Sequence, residues 1–169
     1  MTPGSATPGS VTPGRATEDV RDYPRPPRLE RAAGPVRIAF GGGVIAATDA
    51  AWRVLETFHP PTYYLPPDAF APGVLVPAPG SSFCEWKGAA RYWDVTAGGR
   101  TAPRAAWSYA APTPGFAPIA GHVAVYAGPM DACWVGEDRV TPQPGGFYGG
   151  WITPEITGPI KGGPGTAGW

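Results

Sequence analysis

Apolar residues recur at every second position over short stretches of this chain, and no stretch sustains the period of a long helix. Val36, Ile38 and Phe40 line one face of residues 36–40, the Gly41-Gly42-Gly43 run turns the chain, and residues 44–46 return it. That pattern predicts a hairpin. The segment WRVLET at 52–57 fits either a helix or a strand. As a strand it places Trp52, Val54 and Glu56 on one face, with a carboxylate ending an apolar row. Further strands are predicted at 62–65, 89–95, 105–109, 123–126 and 132–135, separated by Pro-, Gly- and Asp-rich turns. Short strands at roughly even spacing predict an all-β protein, either two packed antiparallel sheets or a barrel. Helical turns are expected to be short, one of them just before Gly121.

The ends change the domain estimate. Residues 1–14 read MTPGSATPGSVTPG, a Thr-Pro-Gly repeat with too little apolar content to offset ordering, so residues 1–17 are expected to be a disordered tail. GGPGTAGW reads the same way, which makes residues 163–169 a flexible tail and leaves one domain over 18–162. That domain includes a proline arm, DYPRPPR at 22–28, biased toward extended angles. It also includes TPQPGGFYGGWITPEITGPIKG at 141–162, which is too broken by Gly and Pro to build a sheet. Carrying Phe147, Tyr148 and Trp151, it should lie against the body, beside the proline arm.

Composition narrows the function classes. With 25 Gly and 24 Pro among 169 residues, seven Trp and seven Tyr must supply much of the buried surface. Thirteen basic and thirteen acidic residues give zero net charge. This offers no field for nucleic acid or anionic membrane. No run approaches the roughly 18 apolar residues of a membrane span. The N-terminus shows no leader pattern, so a cytoplasmic location is expected, with Cys84 and Cys133 as reduced thiols. His59 and His122 are the two histidines and there is no Cys-x-x-Cys pair, so no metal is expected, and no cofactor. Gly41-x-Gly43-x-x-Ala46 matches a loose dinucleotide fingerprint but lacks the alternation of strand and helix that gives it meaning. Ser108 lacks the Gly-x-Ser-x-Gly elbow of a hydrolase.

Chemistry concentrates in FCEWKG at 83–88. A nucleophilic Cys84 needs a neighbouring cation or base. In an extended run Lys87 points away from it, and the plain alternative is a structural cysteine at a strand entrance. Glu56 needs a partner, which Lys87 or Arg53 would supply. We expect a turn at FCEWKG to aim Lys87 into a cleft toward Glu56. Trp107 and Tyr109 share a strand face, on which Tyr63 or Tyr64, Trp86 and Tyr126 converge. The ligand-binding set expected from sequence is Arg53, Glu56, Tyr63, Trp86, Lys87, Trp107 and Tyr109, with Glu56, Lys87 and Cys84 as candidates for catalysis.

Several segments together resemble a bacterial family, domain of unknown function 427, and its actinobacterial branch in particular. They are DYPRPPRLE at 22–30, LET at 55–57 with YYLP at 63–66, CEWKGAARY at 84–92, AWSY at 106–109 and GGFYGGW at 145–151. The resemblance implies a β-tent architecture, two antiparallel sheets meeting at an angle, shared with methionine sulfoxide reductase B and the drug-binding domain of cereblon. Those relatives pin their sheets with zinc on paired Cys-x-x-Cys; here aromatic packing must do so. A nucleotidyltransferase-like label goes with the family, yet no Asp-x-Asp pair or phosphate loop accompanies it. The resemblance implies no particular reaction. The expected function is therefore a small-molecule-binding domain, or an enzyme, with an acid, a lysine and aromatic walls between two sheets. The alternatives are an interaction module that docks a partner on its aromatic arms, a thiol-dependent enzyme and a nucleotidyltransferase-like enzyme. The ligand is unassigned, and the chain is expected to be a monomer or homodimer.

Overall fold

The computed structural model describes residues 16–163, 165, 166 and 169, so the Thr-Pro-Gly repeat at 1–14 lies outside the described residues. The fold is all-β. Its strands are β1 (Glu18–Asp19), β2 (Arg28–Arg31), β3 (Val36–Phe40), β4 (Gly43–Thr48), β5 (Trp52–Leu55), β6 (Thr62–Tyr64), β7 (Leu75–Cys84) and β8 (Gly88–Ala97). They continue with β9 (Arg100–Ser108), β10 (Val123–Val125), β11 (Ala132–Val135), β12 (Asp138–Arg139), β13 (Thr141–Pro142), β14 (Trp151–Ile152) and β15 (Ile156–Thr157). The helical elements are short 3-10 turns, one of which, Pro114–Ile119, precedes Gly121.

Three antiparallel sheets carry the body, in the orders β12-β11-β3-β4, β2-β5-β6 and β10-β9-β8-β7. The last two join edge to edge where Leu65 and Val123 exchange backbone hydrogen bonds of 2.9 and 2.8 Å. Side-chain alternation then gives this combined surface two faces. Tyr63, Leu65, Ala106, Val123 and Val125 point one way and pack with Val36, Ile38, Phe40, Cys133 and Val135 of the β12-β11-β3-β4 sheet. Val54, Tyr64, Trp107, Tyr109 and Ala124 point the other way and gather over Phe116 and Ile119. Both faces are apolar, which is why TYY and VAV are buried or nearly buried at every position.

The two ends of the described region meet on the body. β1 pairs in parallel with β15, Glu18 opposite Ile156. Trp151 is 1 % exposed, stacks on Tyr63 at 5.3 Å between centroids, and donates its indole N–H to the Val125 carbonyl at 3.0 Å. Trp169, placed by sequence in a flexible tail, rests against Phe58 at 5.1 Å between ring centroids. β2 runs into the proline arm and pairs with β5, Leu29 opposite Val54.

The 141–162 segment, expected to be too broken by Gly and Pro to build a sheet, forms a two-stranded one in which β13 pairs antiparallel with β14, Thr141 opposite Ile152. WRVLET, open between helix and strand in the sequence, is a strand over Trp52–Leu55, paired with β2 and β6. β7, absent from the strands predicted by the sequence pattern, is a ten-residue strand despite Pro77, Pro79 and Gly80. It is the edge of its sheet, so the proline nitrogens owe no hydrogen bond on the outer side. The pairing also slips between Ala78 and Ser81, where Gly80 adopts φ +94°.

Candidate functional site

On the face that carries Tyr64 and Trp107 lies a cavity of about 400 Å³. Its floor is Val54, Tyr64, Trp107 and Tyr109, its sides are Tyr92 and Tyr126, and residues 82–87 form one rim. Phe147, Tyr148 and Gly149 close the opposite side. Gly149 lies so close to the Trp107 indole that a Cβ there would overlap the ring. Tyr126 pins the closing segment by donating its hydroxyl to the Phe147 carbonyl at 2.9 Å.

FCEWKG ends β7 and begins β8. Cys84 pairs with Gly88, and residues 85–87 form the hairpin tip between them. Gly88 sits at φ +105°, in the left-handed region that glycine enters without penalty. The tip is held by the loop ahead of Pro114–Ile119, where Thr113 donates its amide to the Lys87 carbonyl at 3.2 Å and its hydroxyl to the Trp86 carbonyl at 2.5 Å. Lys87 consequently folds inward and is 8 % exposed. Its ammonium lies 5.8 Å from the ring centres of both Tyr109 and Phe116, within cation–π range. Among the described residues it makes no ion pair within 4.0 Å.

Glu56, one residue past β5, faces the cavity but is paired elsewhere. Its Oε2 is 3.2 Å from Arg25 Nε, and Arg25 also donates to the Thr57 carbonyl at 3.0 Å. The expected Glu56–Lys87 pair is thus replaced by Glu56–Arg25, because the proline arm brings Arg25 over the end of β5. His59 Nε2 is 3.9 Å from the same carboxylate oxygen. Burial lowers the His59 pKa below its ordinary value; Glu56 opposes this, while Lys161, Arg25 and Lys87 add to it. Burial likewise raises Tyr64 and Tyr109, so both hydroxyls stay protonated at neutral pH.

The cavity brings together Glu56, Cys84, Trp86, Lys87, Trp107 and Tyr109 of the residues singled out from sequence. It leaves out Arg53 and Tyr63, and strand parity is the reason: they sit opposite one another in register, on the face away from Val54 and Tyr64. Arg53 is bound to Glu18 at 2.8 Å and Glu30 at 3.1 Å, and Tyr63 packs on Trp151. Sequence reasoning missed His59 as a lining residue, and with it Gln143, Lys161 and Tyr148. None of these four lies near FCEWKG in the chain, and their convergence needs the C-terminal segment in place. Ser108 accepts from the Trp93 indole at 2.9 Å, as a strand hydroxyl does. Gly41 and Gly42 form the β3–β4 turn, with no helix after it.

Among the described residues no three His, Cys, Asp or Glu side chains cluster as metal ligands, and no helix is long and apolar enough to cross a membrane. The two thiols differ. Burial pushes Cys133 up to about 12, whereas Cys84 is half-buried on the cavity wall. A maleimide at neutral pH should therefore modify one thiol per native chain, at Cys84, with the second appearing only on unfolding. Mass spectrometry of the labelled peptides checks this, and native labelling of Cys133 would contradict the packing.

A search of the curated proteins found no match. The family model described as a domain of unknown function (DUF427) matches residues 28–136, which include β2 through β11 and hence the strands that floor the cavity and the hairpin that carries Lys87. This chain belongs to the DUF427 family.

Proposed function

We propose that the chain binds a small, flat organic molecule bearing an anionic or hydrogen-bond-accepting group, held in the cavity over Trp107. The observation that carries this reading is Lys87. An ammonium withdrawn from water, with aromatic faces beside it and no carboxylate within 4.0 Å among the described residues, is costly for a protein that does not use it. A bound anion would offset that cost. Tyr64, Trp107 and Tyr109 offer flat apolar walls, and about 400 Å³ is the size of an ordinary small-molecule site. Glu56 supplies one acceptor at the rim, so a proton-transfer step on a bound molecule is compatible with the arrangement.

The test is a thermal-shift screen of aromatic carboxylates, phosphates and neutral analogues against the whole chain. Ligand at a hundredfold excess over its Kd adds about 2.7 kcal/mol to native stability, a readily measured shift. Hits should be anionic or carbonyl-bearing, and their shift should vanish in Trp107→Ala. If no compound stabilises the chain, or if hits act equally on both proteins, the reading fails.

A further inference from the structure

A hydrogen-bond chain runs along the polar side of the cavity, and its direction follows from its two ends. Gln143 is 4 % exposed. The Gly150 N–H has only a hydrogen to give and donates to Gln143 Oε1 at 3.0 Å. The Lys161 carbonyl can only accept and takes a hydrogen from Gln143 Nε2 at 2.8 Å. Both ends fix the same orientation of the amide. The other Nε2 hydrogen meets His59 Nδ1 at 3.0 Å. Nδ1 must therefore accept, and the neutral ring carries its proton on Nε2.

A doubly protonated His59 would set Nδ1–H against the amide N–H of Gln143. Turning the amide over would set Nε2 against Gly150 N–H and Oε1 against the Lys161 carbonyl. Neither arrangement satisfies buried groups. The surroundings act in the same direction. Burial and the charges of Lys161, Arg25 and Lys87 oppose a second proton, and Glu56 alone favours it. The Tyr148 ring packs edge-on at 4.8 Å and adds no acceptor to Nδ1. His59 Nε2 is 3.9 Å from Glu56, too far for a hydrogen bond, and among the described residues it has no other partner.

We infer that Gln143 fixes His59 as a neutral Nε2–H donor, making His59 a specificity-determining residue that selects a ligand oxygen able only to accept. This rests on the binding reading above and narrows it to a carboxylate. The Nε2–H of His59 and the ammonium of Lys87 are both donors to the cavity, and the His59 lone pair is already engaged by Gln143. Around the cavity Lys87 and Lys161 face Glu56 and Glu85, while Arg25 neutralises Glu56 from outside the lining. The Lys161 ammonium already donates to the Trp169 carbonyl oxygen at 3.1 Å, so Lys87 is the lining cation whose ammonium has no hydrogen-bond or ion-pair partner among the described residues, the complement of a monoanion. The same geometry removes His59 from general-base duty, since its lone pair is already engaged, and leaves that role open to Glu56.

Long-range 1H–15N correlations across the imidazole rings of the uniformly labelled full chain test the assignment, with His59→Asn identifying which of the two signals is lost. The expected result is a pyrrole-type Nε2 and a pyridine-type Nδ1, with a titration midpoint below the ordinary value of about 6.5. A proton on Nδ1, or a midpoint at or above that value, would overturn the inference. Gln143→Glu presents an acceptor to Nδ1 and should raise the midpoint. An unchanged midpoint in the folded variant would show that Gln143 does not set the state of the ring. The measurement on the parent chain decides the question should that variant not fold.

Benzoate and indole-3-carboxylate, compared with their amides, read the ligand class. The carboxylates should bind more tightly than the amides, and His59→Phe should weaken them by up to about tenfold, the worth of one hydrogen bond. Preference for the amides would overturn the carboxylate as the ligand class, and carboxylate binding unchanged in His59→Phe would overturn the assignment of His59 as the selecting donor. If neither series binds while the Nε2–H tautomer is observed, the binding reading is the one that fails and the state of His59 stands.

Discussion

Trp151→Ala is expected to lower stability by about 3–5 kcal/mol, the range for removing a large aromatic from a packed core. Three contacts are lost together: the stack on Tyr63, the indole hydrogen bond to the Val125 carbonyl, and the filling of a core shared with Phe40, Phe70 and the aliphatic residues of both sheets. The backbone of Trp151 also donates to the Pro61 carbonyl at 2.7 Å, and Gln143 receives the amide of Gly150 next to it. A cavity at Trp151 therefore loosens the segment that closes the site over Trp107. Trp151→Phe separates these effects. It keeps a ring on Tyr63 but strands the Val125 carbonyl, which should cost about 1–3 kcal/mol. Urea midpoints of both variants check the order. A loss below about 1 kcal/mol for the alanine variant would mean that the C-terminal segment contributes little to the native state.

Period-two alternation was enough to locate most strands of the three main sheets, because each of those segments keeps at least one apolar face. It failed at β7 for a specific reason. Pro77, Pro79 and Gly80 are strand breakers in a central position and harmless at an edge, and whether a strand lies at an edge is a property of the assembled sheet. Parity also sorted the site. Placing Trp52, Val54 and Glu56 on one face already implies that Arg53 faces away, and the register opposite Tyr63 carries Tyr63 with it. What parity cannot give is the identity of long-range partners. Arg25 reaches Glu56 across 31 positions, and Gln143 reaches His59 across 84. Both meetings depend on how irregular, proline-rich segments lie on the sheets, and no periodicity encodes that. The local turn at FCEWKG was legible because Gly88 permits it, but the withdrawal of Lys87 from water also needs Thr113 to clamp the tip.

That Lys87 has no carboxylate within 4.0 Å among the described residues turns a stability prediction around. Were Lys87 bound to Glu56 in the interior, removing it would strand a buried charge at a cost of about 3–5 kcal/mol. Glu56 is instead held by Arg25, with side-chain exposures of 23 % and 36 %, so that pair is screened and worth about 0–1 kcal/mol. Lys87→Met consequently strands nothing. It forfeits cation–π contacts worth about 0.5–2 kcal/mol and relieves the desolvation of an ammonium, while the methionine stem fills much of the same space. The expected outcome is native stability within about 1 kcal/mol of the parent, of either sign, together with loss of the thermal shift from any anionic ligand. A double-mutant cycle of Lys87→Met with Glu56→Gln should show coupling near zero, and the cycle of Arg25→Met with Glu56→Gln a few tenths of a kcal/mol up to about 1. A coupling above about 1.5 kcal/mol between Lys87 and Glu56, or a Lys87→Met variant destabilised by more than about 3 kcal/mol, would mean that the lysine holds the fold together. Stability that is kept while anion binding is lost identifies it as a group held for a ligand.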